Sequence, residues 1–62
     1  MTPAYDNQDI RRAAYSMIAN HGAYAAHVAM KRARGLVDDD SREARLTWER
    51  IASAIGDIRR AG

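Results

Sequence analysis

The chain has 62 residues, and its ten basic and eight acidic residues give a formal net charge of +2. A chain of this length forms one domain near the lower limit at which a hydrophobic core alone can stabilise a fold. The absence of cysteine excludes disulfide-stapled domains and thiolate zinc fingers. Because no apolar run approaches the ~18 residues that span a bilayer and no signal-peptide layout is recognisable, we expect a single cytoplasmic domain over residues 1–62.

An alanine- and arginine-rich composition, with one proline at position 3, favours helix throughout. We predict an all-α, compact three-helix domain with helices at about 6–20, 23–37 and 41–60. Asp6 is the expected N-cap of the first helix, and Tyr5 and Ile10 occupy the positions of a hydrophobic staple. Thr2 before Pro3 leaves an earlier start open.

The segment "NHGAYAAH" at 20–27 holds both histidines and a glycine. Gly22 follows the last residue of the first apolar repeat, and glycine most readily adopts the left-handed conformation that closes a helix. We therefore interpret this segment as a corner between two helices, with His21 as a helix C-terminal residue whose partial positive charge suits the dipole.

The second helix has apolar or small residues over an arc of roughly 200°, wider than the roughly 100° stripe that a surface helix needs. These positions are Ala25, Ala26, Val28, Ala29, Met30, Ala33, Leu36 and Val37. The width predicts that the second helix lies between the other two. Arg32 falls within the arc, so its stem is expected to cover apolar surface.

The third helix follows the acidic segment "DDD", with Asp40 and Glu43 at the spacing of a capping box. Its apolar residues repeat at steps of four and three, the pattern of a helix with one buried face; they are Ala44, Trp48, Ile51, Ile55 and Ile58. We expect Trp48 to be buried beneath the two shorter helices. Leu46 points away from this stripe.

The corner His21-Gly22-x-x-Ala25 and the third-helix pattern Trp48-x-x-Ile51 resemble a family of short, uncharacterised bacterial proteins, mostly alphaproteobacterial. The resemblance extends from about Ala14 to Ile58. Members often carry an acidic residue where this chain has Tyr24, and a glycine in the acidic turn. The resemblance implies a small helical domain and no particular activity.

Catalytic and metal-binding patterns are weak. His21 and His27 lack the spacing that places two imidazoles on one helical face, although a site using His21 and an aspartate of 38–40 stays open. An EF-hand aligned on Asp38 would place Arg42 and Glu43 where that loop needs an oxygen ligand and a glycine. With no nucleophile or phosphate-loop motif, and little room for a pocket of ~300 Å³, we expect no enzyme, no cofactor and no metal.

Two functions remain from the sequence. The first is a small protein-interaction module that binds an unknown protein or forms a homodimer, with contacts from Tyr24, Val28, Arg32 and Leu46. The alternative is a helix-turn-helix-like nucleic-acid-binding protein with contacts from Arg42, Arg45, Arg50, Arg59 and Arg60. The three aspartates that lead into the third helix oppose the alternative, because they would repel phosphates.

Overall fold

A computed structural model describes residues 6–61, apart from the side chain of Asp39. Helix α1 spans Asn7–His21, α2 spans Ala25–Gly35 and α3 spans Arg42–Ala61. Two 3-10 turns, Gly22–Tyr24 and Asp39–Ser41, precede α2 and α3. The radius of gyration is 11.5 Å, close to the ~11 Å expected of a compact chain of this length. The all-helical, compact character predicted from the sequence is therefore confirmed.

The helical conformation is unbroken between α1 and α2, because the turn Gly22–Tyr24 joins them directly. Counted as continuous segments, the described residues form two helical stretches, 7–35 and 39–61, and the first is bent at Gly22. The expectation of three separate helices is thus met only in part.

The start of α1 agrees with the sequence-based prediction. Asp6 is the N-cap, and its Oδ1 accepts from the backbone N–H of Asp9 at 2.9 Å. The Asp9 carboxylate in turn accepts from the Asp6 N–H at 3.5 Å, which completes a capping box. The staple partner Tyr5 and the alternative start at Thr2 lie outside the described residues.

The corner is built on Gly22, which has φ 57° and ψ −127°. The positive φ was expected, but ψ differs from the left-handed helical value. The pair is instead that of the first central residue of a type II′ turn, which also favours glycine. This turn delays α2 until Ala25, two residues after the predicted start.

The predicted end of the second helix at Val37 is wrong. Helix α2 ends at Gly35, and Leu36 leaves the helical region with ψ 82° while its N–H donates to the Ala33 carbonyl at 3.1 Å. Val37 therefore lies outside the helix and is 76% exposed. Gly35 explains the early end, since a glycine lowers helix stability at that point.

The start of the third helix also differs from the prediction. The turn Asp39–Ser41 already has helical conformation, and the Ser41 N–H donates to the Asp38 carbonyl at 2.9 Å. Asp40 lies inside that turn, whereas an N-cap residue is extended. No hydrogen bond links Asp40 to Glu43 in the described part of the chain, so the predicted capping box is absent there.

All three helices contact one another, but α3 has more extensive contacts with α1 and with α2 than these two have with each other. Arg50 Nη2 donates to Asn7 Oδ1 at 3.1 Å, and Arg59 Nη1 donates to the Gly22 carbonyl at 3.2 Å. Helix α1 therefore runs in the same direction as α3, from the level of Arg50 to that of Arg59. Helix α2 returns along α3 in the opposite direction and brings Arg32 over Trp48. The longest helix supports two shorter ones because its apolar face is the most continuous.

The core is small and rich in alanine. Among the described residues the buried hydrophobic side chains are Ile10, Ala14, Met17, Ala25, Ala29, Ala33, Ile51, Ala52 and Ile55. Ile55 is the only large side chain of this set that is completely buried. Val28 and Met30, from the predicted arc of the second helix, and Ile58, from the predicted stripe of the third, are only partly buried, as is Ile18. The alanines allow α2 to approach α3 closely, so backbone proximity replaces side-chain volume.

Candidate functional site

A groove lies between the first turns of α1 and the N-terminal half of α3. Its volume is about 660 Å³. Most of the residues that line it are apolar or small, and three are charged. The lining residues are Asp9, Ile10, Ala13, Glu43, Ala44, Leu46, Thr47, Trp48, Arg50 and Ile51. The concavity is an open groove at the surface and not an enclosed pocket.

The groove exists because α1 and α3 do not begin at the same level. Helix α1 starts beside Arg50, so residues 42–49 of α3 extend roughly 12 Å further. Over this length the face that α1 covers elsewhere has no described helix against it. Ala44 is exposed although it lies on the predicted apolar stripe. The concavity is thus a gap beside a helix and not a hollow in the core.

Trp48 lies at the boundary between the groove and α2. It is partly buried, not fully covered as predicted. The Arg32 guanidinium carbon is 4.9 Å from the centre of the indole ring, a cation–π contact. The Trp48 side chain also lines the groove. The guanidinium of Arg32, where the sequence predicted the stem, therefore lies over apolar surface, while α1 leaves the tryptophan incompletely covered.

The rim of the groove carries both signs of charge. Asp9 is engaged in the capping box of α1, and Arg50 is held by Asn7. The Glu43 carboxylate makes no ion pair or hydrogen bond with the described residues, while its carbonyl accepts from the Thr47 hydroxyl at 2.9 Å. A partner in the groove would meet apolar walls between acidic groups and one arginine.

The four residues predicted to bind a partner do not form one surface. Leu46 is 50% exposed and lines the groove. Arg32 contacts Trp48 from the α2 side, and Val28 is partly buried one helical turn earlier. Tyr24, 72% exposed, lies in the corner turn before α2. Only Leu46 therefore belongs to the groove itself.

Sequence analysis missed the groove residues Ala44, Thr47 and Ile51 as a site. The signal in the sequence that could have indicated this groove was the difference in length between the predicted first and third helices. The third predicted helix was longer than the first, so some part of its apolar face had to lie beyond the first helix.

Four of the five arginines proposed for nucleic acid make contacts within the chain. Arg45 pairs with Glu49 at 4.0 Å, and Arg60 pairs with Asp57. Arg50 and Arg59 hold α1 and the corner, as described above, so they lie on different sides of α3. Arg42 is exposed and makes no such contact with the described residues. Four of the five side chains are therefore engaged within the described chain, and helical spacing places Arg50 on a different side of α3 from the others.

The histidines lie in separate settings. His21 is the last residue of α1 and is partly buried, and His27 is exposed on α2. Within 6–61 no group of three or more histidine, aspartate or glutamate side chains is arranged to hold a metal ion. The lining of the groove includes no histidine, serine or cysteine. Nor is any helix of the described chain both long and apolar enough to cross a membrane.

Comparisons of the chain with protein-family models, with curated proteins and with solved structures gave no match. The resemblance to the short alphaproteobacterial proteins stays a prediction.

Proposed function

We propose that this chain is a non-enzymatic three-helix interaction module that receives an apolar segment in the groove beside α3. The observation that carries the proposal is Leu46, half of whose surface is exposed in a concavity that also includes Trp48. Apolar residues grouped in a groove favour a docking site more strongly than scattered exposed ones do. Helix-in-groove binding is a common use of such a surface.

A second copy of the chain is the partner that we propose. The core is small, and small domains commonly gain stability by association. In a two-fold dimer the same patch meets itself, so it must contain groups that complement one another. The rim meets this requirement, since Arg50 of one copy can face Asp9 or Glu43 of the other across apolar centres.

Sedimentation velocity from micromolar to millimolar concentration tests this proposal. We expect a concentration-dependent shift from monomer to dimer. Thermal stability should rise over the same range, because association stabilises the folded state by mass action.

A pair of variants locates the interface. Leu46→Lys places a charge in the groove and should abolish the dimer. Val37→Lys is the matched control, because Val37 is also apolar and 76% exposed but does not line the groove. It should leave association unchanged. A chain that stays monomeric throughout, or equal loss of association in both variants, would contradict the proposal.

Residues 1–5 provide a further control, because they directly precede the first turn of α1 beside the groove. A variant that lacks residues 1–5 should associate at least as strongly as the full chain. If only the shortened chain associates, the groove serves the chain's own terminal segment and self-association of the full chain is wrong.

A further inference from the structure

The stretch between Ile10 and Val37 contains no aspartate or glutamate. It carries five formal positive charges and both histidines: Arg11, Arg12, His21, His27, Lys31, Arg32 and Arg34. The whole chain has a net charge of only +2, so the acidic residues are confined to the start of α1, the turn before α3 and α3 itself. Most of α1 and all of α2 therefore form a cationic region.

One side of α2 collects exposed residues of this region. Spacings of three, four and three place four side chains on one face, which we call the cationic face: Tyr24, His27, Lys31 and Arg34. All four are exposed. The opposite side holds the buried alanines that pack in the core. The cationic face is about 15 Å long and carries no acidic side chain.

The charges of this face have no partner among the described residues, whereas four of the five arginines considered on α3 do. Lys31 and Arg34 make no hydrogen bond or ion pair with any residue of the described range. Arg32, next to them, is held over Trp48 and lies outside the face. Apart from Arg32, the cationic side chains of the described range that make no hydrogen bond or ion pair lie mostly on α1 and α2, as Arg11, Arg12, Lys31 and Arg34, and less on the third helix, where the sequence predicts nucleic-acid contacts.

We propose that the cationic face binds in the major groove of duplex DNA. Helices α1 and α2 are joined by a three-residue turn that contains Gly22, and a helix that presents a polar, cationic outer face can enter the major groove. Helix α2 has 11 residues, roughly 16 Å in length, and the groove of B-DNA is about 12 Å wide. Tyr24 and His27 lie at its N-terminal end, the part of a recognition helix that contacts bases.

The position of the acidic turn agrees with this orientation. Asp38 and the residues that follow it lie beyond the C-terminal end of α2. They are thus separated by the length of the helix from the end that approaches the bases. Their repulsion of phosphates, which opposes entry of the third helix, does not oppose entry of the start of α2.

Other anionic partners fit the face less well. A helix that lies in a membrane interface needs an exposed apolar side, and the apolar side of α2 is used in the core. The major groove of duplex RNA is too narrow for side chains to read. Duplex DNA is the polyanion whose groove accepts a helix with a polar, cationic outer face.

Fluorescence anisotropy with a labelled, mixed-sequence DNA duplex tests this inference. At about 50 mM salt we expect binding with a Kd on the order of 1–100 μM, weakening steeply as salt rises. The double variant Lys31→Gln, Arg34→Gln should bind about tenfold more weakly, and its logarithmic salt slope should fall by about 2. Circular dichroism should report an unchanged fold, because both positions are exposed.

The matched control is Arg42→Gln, Arg60→Gln, which removes the same charge from α3 and should change binding less than about twofold. No anisotropy change at about 50 mM salt would overturn the inference, as would equal weakening in both double variants. Tighter binding to an RNA hairpin, or to vesicles of phosphatidylcholine and phosphatidylserine, would also overturn it. The cationic face on α2 does not include any residue that lines the groove between α1 and α3. Failure of the dimer test therefore leaves the DNA-binding inference standing, and failure of the DNA-binding test leaves the dimer proposal standing.

Discussion

The two halves of α3 carry the same apolar repeat but have different surroundings. In the C-terminal half Ile55 is completely buried, since α1 and α2 both cover this length. In the N-terminal half Ala44 is exposed and Trp48 only partly buried, because α1 begins at the level of Arg50. The periodicity of a helix thus predicts which face is apolar, and the lengths of its neighbours decide how much of that face is buried.

The largest expected effect on stability comes from removing a side chain in the C-terminal half of α3, which α1 and α2 cover; we call this the covered half, and the N-terminal half the uncovered half. Ile55→Ala should lower the free energy of unfolding by about 2–5 kcal/mol, because Ile55 is completely buried. Leu46→Ala removes a similar side chain from the uncovered half, where it is 50% exposed. It should cost less than about 1 kcal/mol. Urea denaturation at low protein concentration measures both values, and similar costs would show that the two halves are equally covered.

The corner should have the next largest effect, since it brings α1 and α2 together over the covered half. Gly22→Ala should cost about 1–3 kcal/mol, because its φ of 57° is strained for a residue with a Cβ. Nothing lies within 4 Å of that Cβ, so the cost is one of backbone conformation and not of collision.

Gly56→Ala is the control for the corner. Gly56 lies inside α3 with equally open space for a Cβ but without a positive φ. This substitution should stabilise the fold by about 0.5–1 kcal/mol. Thermal denaturation of both variants gives the comparison, and a neutral Gly22→Ala would show that the corner tolerates other residues.

Local signals in the sequence predicted the helical character of the chain, the start of α1 and the positive φ at the first corner. Asp6 as N-cap and Gly22 with a positive φ follow from residue chemistry that acts within a few positions. The end of α2 was placed two residues too late because the apolar Leu36 and Val37 were weighted above Gly35. A hydrophobic side chain indicates burial only if the backbone is still helical when it is reached.

The arrangement of the helices and the groove was not predicted. Alanines widen the apolar arc of the second helix, and this width predicts a central helix. In the structure its buried stripe is the row Ala25, Ala29 and Ala33 against α3. The groove depends on the offset between α1 and α3, and the offset depends on the packing of distant residues such as Asn7 and Arg50.

The smallest expected effect concerns the boundary between the two halves, where Arg32 covers Trp48. Arg32→Ala should cost about 0.5–1 kcal/mol and make the indole more accessible to acrylamide, because the guanidinium lies 4.9 Å from the ring centre. Trp48 is the only tryptophan, so its fluorescence reports this contact alone. Arg34→Ala, an exposed arginine on the same helix, should leave both quenching and stability unchanged. Because α1 leaves Trp48 incompletely covered, quenching that is unaffected by Arg32→Ala would mean that acrylamide already reaches the indole from the groove side and that the Arg32 guanidinium does not control its accessibility.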